Sequence, residues 1–246
     1  TEALDRARRH SARPIHVLTN RSDSPLMEGA SKLSDVSTHV FELRDKDGYL
    51  ATNSLLLDAM LVARAYGELD GKKDELPATM DELRIDDKSI GRWLASAETF
   101  VEAATRRGSV IVTYSPLLRP IATDLESKLS EGALLHCQLA DLRTFAHGRH
   151  LWLAERPQDI VVLALIEPSL SALWDKMRSL FPIEVPNLSM PLAGALPRDL
   201  IAGLVGQMYL VNSFARKLGR DPGKPDVPSF GRDIYYLDLP KFIPVP

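Results

Sequence analysis

The sequence predicts an α/β protein built on parallel sheets covered by helices on both faces. Two observations carry this expectation. Helical patterns of roughly 10 to 20 residues alternate with short Val/Ile/Leu runs along the chain. The 246 residues are 45% apolar and 26% charged, with 14 Gly and 17 Pro, which is ordinary globular composition and excludes disordered, collagen-like and coiled-coil classes.

Ala3, Leu4 and Ala7 recur at helical spacing ahead of Pro14, and Ile15 to Asn20 reads as a short buried strand. Leu26 to Leu33 follows Ser24-Pro25 as a short helix, Thr38 to Leu43 is a second strand, and Asp45 to Gly48 a charged turn. Ser54 to Tyr66 is a long apolar helix capped by Thr52 or Asn53. A polar stretch rich in Asp, Glu, Lys and Gly then makes residues 71–87 the best linker. Beyond it the chain predicts a helix Ser89 to Arg106, a strand Ser109 to Tyr114, a helix Arg119 to His136 and a strand Asp159 to Ile166. A helix Ser169 to Leu180, a short strand Ile183 to Val185 and a helix Arg198 to Leu218 complete the second unit. Prolines and glycines dominate residues 219–246, an extended tail with one short strand at Ile234 to Leu237.

Charge and composition narrow the function classes. The net charge is −3 and the 30 basic residues are scattered, so no basic stripe for nucleic acid exists. The longest apolar-rich stretch, Leu200 to Val211, contains Gln207 and falls short of the ~20 residues that span a bilayer, so no membrane partner is expected. One cysteine, Cys137, excludes a disulfide framework and a cysteine metal cluster, which fits a cytoplasmic location. The chain opens at Thr1 inside a helical pattern, as though an earlier part had been removed.

In open parallel sheets ligands sit at the carboxyl ends of the strands, which directs attention to Thr19-Asn20-Arg21 and Tyr114-Ser115-Pro116. Such residues also cap helices, and neither a dinucleotide glycine motif nor a P-loop accompanies them. Asp124, Lys128 and Glu131 share one helix face, with Leu125, Leu129 and Ala133 as the buried stripe. A solvated salt-bridged face explains the spacing; so does a carboxylate base beside a lysine that steadies an anion. His147-Gly148-Arg149-His150 is the densest functional cluster, but no carboxylate completes a metal-ligand spacing, so neither a metal nor another cofactor is expected.

Taken together the segments resemble the sugar isomerase (SIS) domain family, in the tandem arrangement of the isomerase half of the glucosamine-fructose-6-phosphate aminotransferases. ALDRARRHSARPIHVLTNRSDSPL is similar to the family's helix, strand and "TN…SPL" turn, and GYLATNSLLLDAMLVARAY to its "Ala-Ser-Thr-Lys" turn and helix. DLESKLSEGALL looks like the "EGALKLKEIA" helix, RTFAHGRH like the "E…HGP" turn, and GRDPGKPDVP like the opening of the C-terminal tail.

The resemblance implies a three-layer, flavodoxin-like α/β fold: residues 1–70 as the trailing part of a first SIS domain, 71–87 a linker, 88–218 a whole second domain, 219–246 the tail. It implies a sugar phosphate as ligand and an aldose–ketose isomerase or amino-sugar-phosphate enzyme as function; a sugar-phosphate sensor or scaffold without turnover is the alternative. Glu131 falls on the glutamate that moves the proton, Lys128 on a lysine of the same helix, and His147 on the histidine linked to ring opening. Thr52 falls on a serine that touches the sugar phosphate, with Asn53, Ser115, Arg149 and Arg232 as further binding candidates. A homodimer is implied, because that histidine reaches a neighbouring subunit's site in the family. The sequence departs in three places: Arg149 replaces the proline after His-Gly, Arg232 stands near but out of register with the tail lysine, and the phosphate-binding Ser-x-Ser-Gly loop would lie ahead of Thr1.

Overall fold

The computed structural model describes residues 2–10, 14–71, 76–193 and 196–237. In chain order, α1 (Glu2–His10), β1 (Ile15–Thr19), α2 (Pro25–Ala30), β2 (Val36–Val40) and α3 (Asn53–Leu69) make the first part. A hairpin of β3 (Arg84–Ile85) and β4 (Lys88–Ser89) opens the second. It continues through α4 (Ile90–Ser96), α5 (Glu98–Arg107), β5 (Ser109–Tyr114), α6 (Arg119–Glu131), β6 (His136–Asp141), a single turn α7 (Leu142–Thr144) and α8 (Leu151–Glu155). Then come β7 (Ile160–Ile166), α9 (Ser171–Arg178), β8 (Asn187–Pro191), α10 (Arg198–Lys217) and α11 (Ser229–Tyr235).

Strands β5 to β8 form one parallel sheet in the order β6-β5-β7-β8. Every residue of β7 is buried, as expected of a central parallel strand whose sequence is apolar at each position. Alternate residues feed two cores. Val110, Val112, Leu163 and Leu165 face α4, α5, α6 and α10, whereas Ile111, Val162, Ala164 and Ile166 pack with Phe145, Leu153 and Trp174 on the other face. The three-layer α/β architecture therefore stands. Helix α10 is its spine, lying against α3, α4, α5, α6 and β3. Gly203 and Gly206 permit that approach, since a Cβ on either would collide with the side chain of Ile121 or Ile85.

The first part is slighter. β1 and β2 form a separate parallel pair, with Ile15 and Val17 packed on Leu4 and Ala30, and its other face open.

Several expected elements differ. The helix expected over Ser89 to Arg106 is two, broken at Ala97, whose buried turn lets Trp93 and Phe100 enter one core. The helix expected to reach His136 stops at Glu131. Ala133 there takes a positive φ of 47° and is exposed rather than part of the buried stripe, and the chain re-enters the sheet as β6. β6 is an edge strand of mixed polarity, HCQLAD, so no apolar run announces it. The strand expected at Ile183 to Val185 is a turn closed by Val185 N–H on Pro182, and the strand lies at Asn187–Pro191, on the other edge where proline is tolerated. The second strand of the first part is Val36–Val40, earlier than Thr38 to Leu43. The tail strand expected at Ile234 to Leu237 falls instead on the end of α11 and the turn after it, closed by Tyr236 N–H on Arg232. Within the expected linker, Leu83 and Ile85 are buried in the main core, while residues 72–75 lie outside the described residues.

Candidate functional site

The strand order changes direction at β5: β6 lies on one side and β7 and β8 on the other. Ligands in open parallel sheets enter the crevice outside the carboxyl ends of the two strands flanking such a point. Here those ends are Tyr114-Ser115 and Ile166-Glu167. Ser115 is fully buried, and its Oγ accepts the Glu167 N–H at 3.2 Å, while Ser115 N–H donates to Leu165 O. The crevice is thus bridged by the protein itself. Pro116 and Pro168 open a 3-10 turn on either side of it, and Pro120 sits in the first turn of α6, so these positions offer no N–H to an anion. A cavity of about 250 Å³ lies beside it, with Arg84, Asp86, Asp87, Glu167 and Ser171 in its wall.

Thr52 and Asn53 open α3, where backbone N–H groups and the helix dipole favour an anion. That place is occupied by Asp47. Its carboxylate accepts from Thr52 Oγ1 at 2.9 Å, Asn53 N at 2.7 Å, Ser54 N at 3.0 Å and Ser54 Oγ at 2.5 Å. Burial pushes the Asp47 carboxyl upward, but these hydrogen bonds outweigh it and hold it at about 2. Thr52 is the helix-capping position by backbone geometry only, since its side chain caps nothing; Asp47 does that work.

The Asp124/Lys128/Glu131 face divides. Lys128 is only 4% exposed and donates to Asp124 Oδ1 at 2.5 Å. Asp124 Oδ2 accepts from Gln207 Nε2 of α10. The pair therefore packs between α6 and α10, with Lys128 buried and Asp124 partly so, and is not a solvated face. Burial raises the Asp124 carboxyl, with the Lys128 and Gln207 hydrogen bonds opposing. Glu131 lies exposed on the last turn of α6, where Ser127 Oγ donates to it at 2.6 Å. At 1.5 Å per residue, α6 separates the Ser115 end of the sheet from the Glu131 end by about 18 Å, too far for one small ligand to touch both.

His147 and Arg149 are exposed on a widened turn, Phe145–Arg149, made possible by Gly148 at φ 138°. Asp141 anchors the start of this segment by accepting from Thr144 Oγ1 at 2.6 Å and Thr144 N at 2.9 Å, which lower its pKa. Arg149 lines a groove of about 840 Å³, together with His136, Cys137, Trp152 and Arg156. This groove opens at the amino ends of β5, β6 and β7, the edge opposite the usual ligand position. Burial and the Glu126 charge push the Cys137 thiol to about 12. Arg232 is exposed on α11.

The structure thus places Ser115 at the carboxyl edge and Glu131 and Arg149 toward the amino edge. Asp47, Glu167 and Gln207 are contributors that sequence reasoning did not select. Gln207 alone had a usable signal, as the polar residue in the apolar run Leu200 to Val211. Among the described residues, no group of three or more His, Cys, Asp or Glu could hold a metal ion, and no helix is long and apolar enough to cross a membrane.

No protein-family model matches the sequence, and no curated protein matches it. Solved structures do match the fold. Glucosamine-6-phosphate deaminase from Thermotoga maritima superposes with a TM-score of 0.64 at 14% identity, over 92% of this chain and 69% of that one. Tagatose-6-phosphate ketose/aldose isomerase from Escherichia coli gives 0.60 at 15% identity, over 92% and 66%. The C-terminal domain of glucosamine-fructose-6-phosphate aminotransferase from Francisella tularensis gives 0.57 at 12% identity, over 91% and 68%. The chain spans about two thirds of each of these structures. At this identity the likeness is one of fold: a doubly wound parallel sheet of the type found in these phosphosugar proteins.

Proposed function

We propose that this protein binds a sugar phosphate and acts on it as an aldose–ketose isomerase or an amino-sugar-phosphate enzyme. The observation that carries the reading is the shared architecture: three structures named for reactions of phosphosugars superpose on more than nine tenths of the chain. Isomerisation needs a carboxylate to move a proton between adjacent carbons and a group to steady the enediolate. Glu131, exposed and free to approach a ligand, is assigned the first role, and His147 assists ring opening. Lys128 acts through Asp124, holding the end of α6 in place. The separation of Glu131 from the carboxyl edge of its own sheet supports a homodimer in which these residues serve a site shared between copies.

A second reading, binding without turnover, is favoured by Arg149 standing after His147-Gly148 and by Arg232 standing out of register with the tail lysine of the resembled family, while the engagement of Ser115 by Glu167 and of Thr52 by Asp47 weighs against ligand contact at those two positions. One experiment separates the two. Hexose phosphates are screened for a rise in melting temperature, and each hit is incubated in D₂O to follow exchange at C1 and C2. Isomerase function predicts both a thermal shift and exchange, with exchange lost in Glu131→Gln. A shift without exchange establishes the sensor or scaffold reading, and the absence of any shift overturns phosphosugar binding.

A further inference from the structure

We propose that His16 and His39 form a two-imidazole chelate for a divalent transition metal that prefers right-angled ligands, Cu²⁺ or Ni²⁺. The two residues stand on adjacent parallel strands. His16 is in register with Ser37 and Leu18 with His39, so both imidazoles project from the same open face of the β1–β2 pair. The opposite face is the one packed on Leu4 and Ala30. Both histidines are exposed, so a hydrated ion has free access.

His16 Nδ1 lies 3.0 Å from His39 Nε2, with the rings stacked at 5.3 Å between centroids and 27° between planes. Two neutral imidazoles at this distance share one proton, one nitrogen donating and the other accepting. The same nitrogens come within chelating reach once each exposed ring turns so that its lone pair leaves the hydrogen bond and points to a common ion. With metal–nitrogen bonds of about 2.05 Å, nitrogens 3.0 Å apart subtend roughly 94° at the ion. That is the cis angle of square-planar or octahedral coordination, favoured by Cu²⁺ and Ni²⁺. Tetrahedral Zn²⁺ would require a separation nearer 3.4 Å. Binding requires the shared proton to pass, by way of solvent, to the other nitrogen of the donor ring, so that both imidazoles ligate as neutral bases with no net proton released, and the remaining coordination positions go to water or to a small donor ligand. Imidazole is the commonest protein ligand for such ions, and Cu²⁺ heads the affinity series.

The ion would tie β1 to β2. A two-stranded sheet is marginal by itself, so a cross-strand clasp changes the behaviour of this unit more than that of the four-stranded sheet. The full chain is titrated with Cu²⁺ and with Ni²⁺ by calorimetry, alongside His16→Gln and His39→Gln. One ion per wild-type chain is expected, with affinity at least tenfold weaker in either variant. Cu²⁺ electron paramagnetic resonance should show two imidazole nitrogens, and hydrogen exchange should slow in Ile15–Thr19 and Val36–Val40 when metal is added. Wild-type affinity in either variant, a single coupled nitrogen, or metal binding that leaves exchange in both strands unchanged would overturn the assignment. Circular dichroism of each variant confirms that a loss of binding is not a loss of fold.

Discussion

Removing the Asp47 carboxylate should destabilise the start of α3 by an amount the structure sets. Asp47 accepts two backbone N–H groups, of Asn53 and Ser54, and two hydroxyls, of Thr52 and Ser54. Loss of a helix-capping side chain costs ~1 kcal/mol, in a range of about 0.5–2. The carboxylate is partly open to water, so its charge adds little beyond that after solvent screening. Asp47→Ala should therefore lose about 1–2 kcal/mol, a fall in Tm of roughly 3–6 °C at this chain length. Asp47→Asn keeps an acceptor and should lose less. The pH dependence has a definite sign. The carboxyl is held at about 2 against 3.8 ordinarily, so its contribution is complete above roughly pH 4 and is lost as pH falls toward 2. Thermal melts of the three proteins between pH 2 and 7 test this. The two variants should converge on wild type at the acid end. A constant offset at every pH, or an Asp47→Ala Tm within 1 °C of wild type at pH 7, would refute the capping role. Inorganic phosphate provides a further readout, stabilising Asp47→Ala more than wild type if the emptied helix end is an anion seat.

Other predictions concern packing and the buried polar group. Lys128→Ala leaves the largely buried Asp124 carboxylate without its countercharge, still held by the Gln207 amide, and should cost about 3 kcal/mol in denaturant unfolding; the triple change Asp124→Leu/Lys128→Met/Gln207→Leu, which leaves none of the three polar groups behind, should recover most of that loss. Gly203→Ala forces a methyl against Ile121 and should cost ~1–3 kcal/mol by the same measurement, whereas Gly91→Ala, with open space around it, should not destabilise. Native Cys137 should resist a thiol reagent at pH 8 and react fully in denaturant, since burial suppresses its thiolate.

The parts of the fold that were legible in the sequence are those where one physical signal dominates. β7 is apolar at all seven positions and α10 carries an apolar face over twenty residues, so tertiary context agrees with local pattern. The edge strand β6 was hidden because four of its six residues line the amino-end groove and Ala140 alone of the six is buried, which erases both the continuous run and the strict alternation. The break at Ala97 has no glycine or proline to announce it, and it coincides with the burial of Trp93 and Phe100 on either side of it. Candidate site residues were legible as chemistry and not as geometry. Thr52 and Ser115 carry the right hydroxyls, but whether those hydroxyls meet a ligand or, as here, the Asp47 carboxylate and the Glu167 N–H is set by loops distant in pattern from either.

The place of α10 in the chain shapes how the protein is made. Helices α4, α5 and α6 all complete their apolar faces against it, yet the ribosome delivers Arg107, the end of α5, about a hundred residues before Lys217. At 5–20 residues per second this leaves a nascent chain waiting roughly 6–20 s with Ile121, Leu125 and Phe100 lacking their final cover. During that interval the apolar faces that α10 covers stay open to solvent, and slowing translation between those points lengthens their exposure.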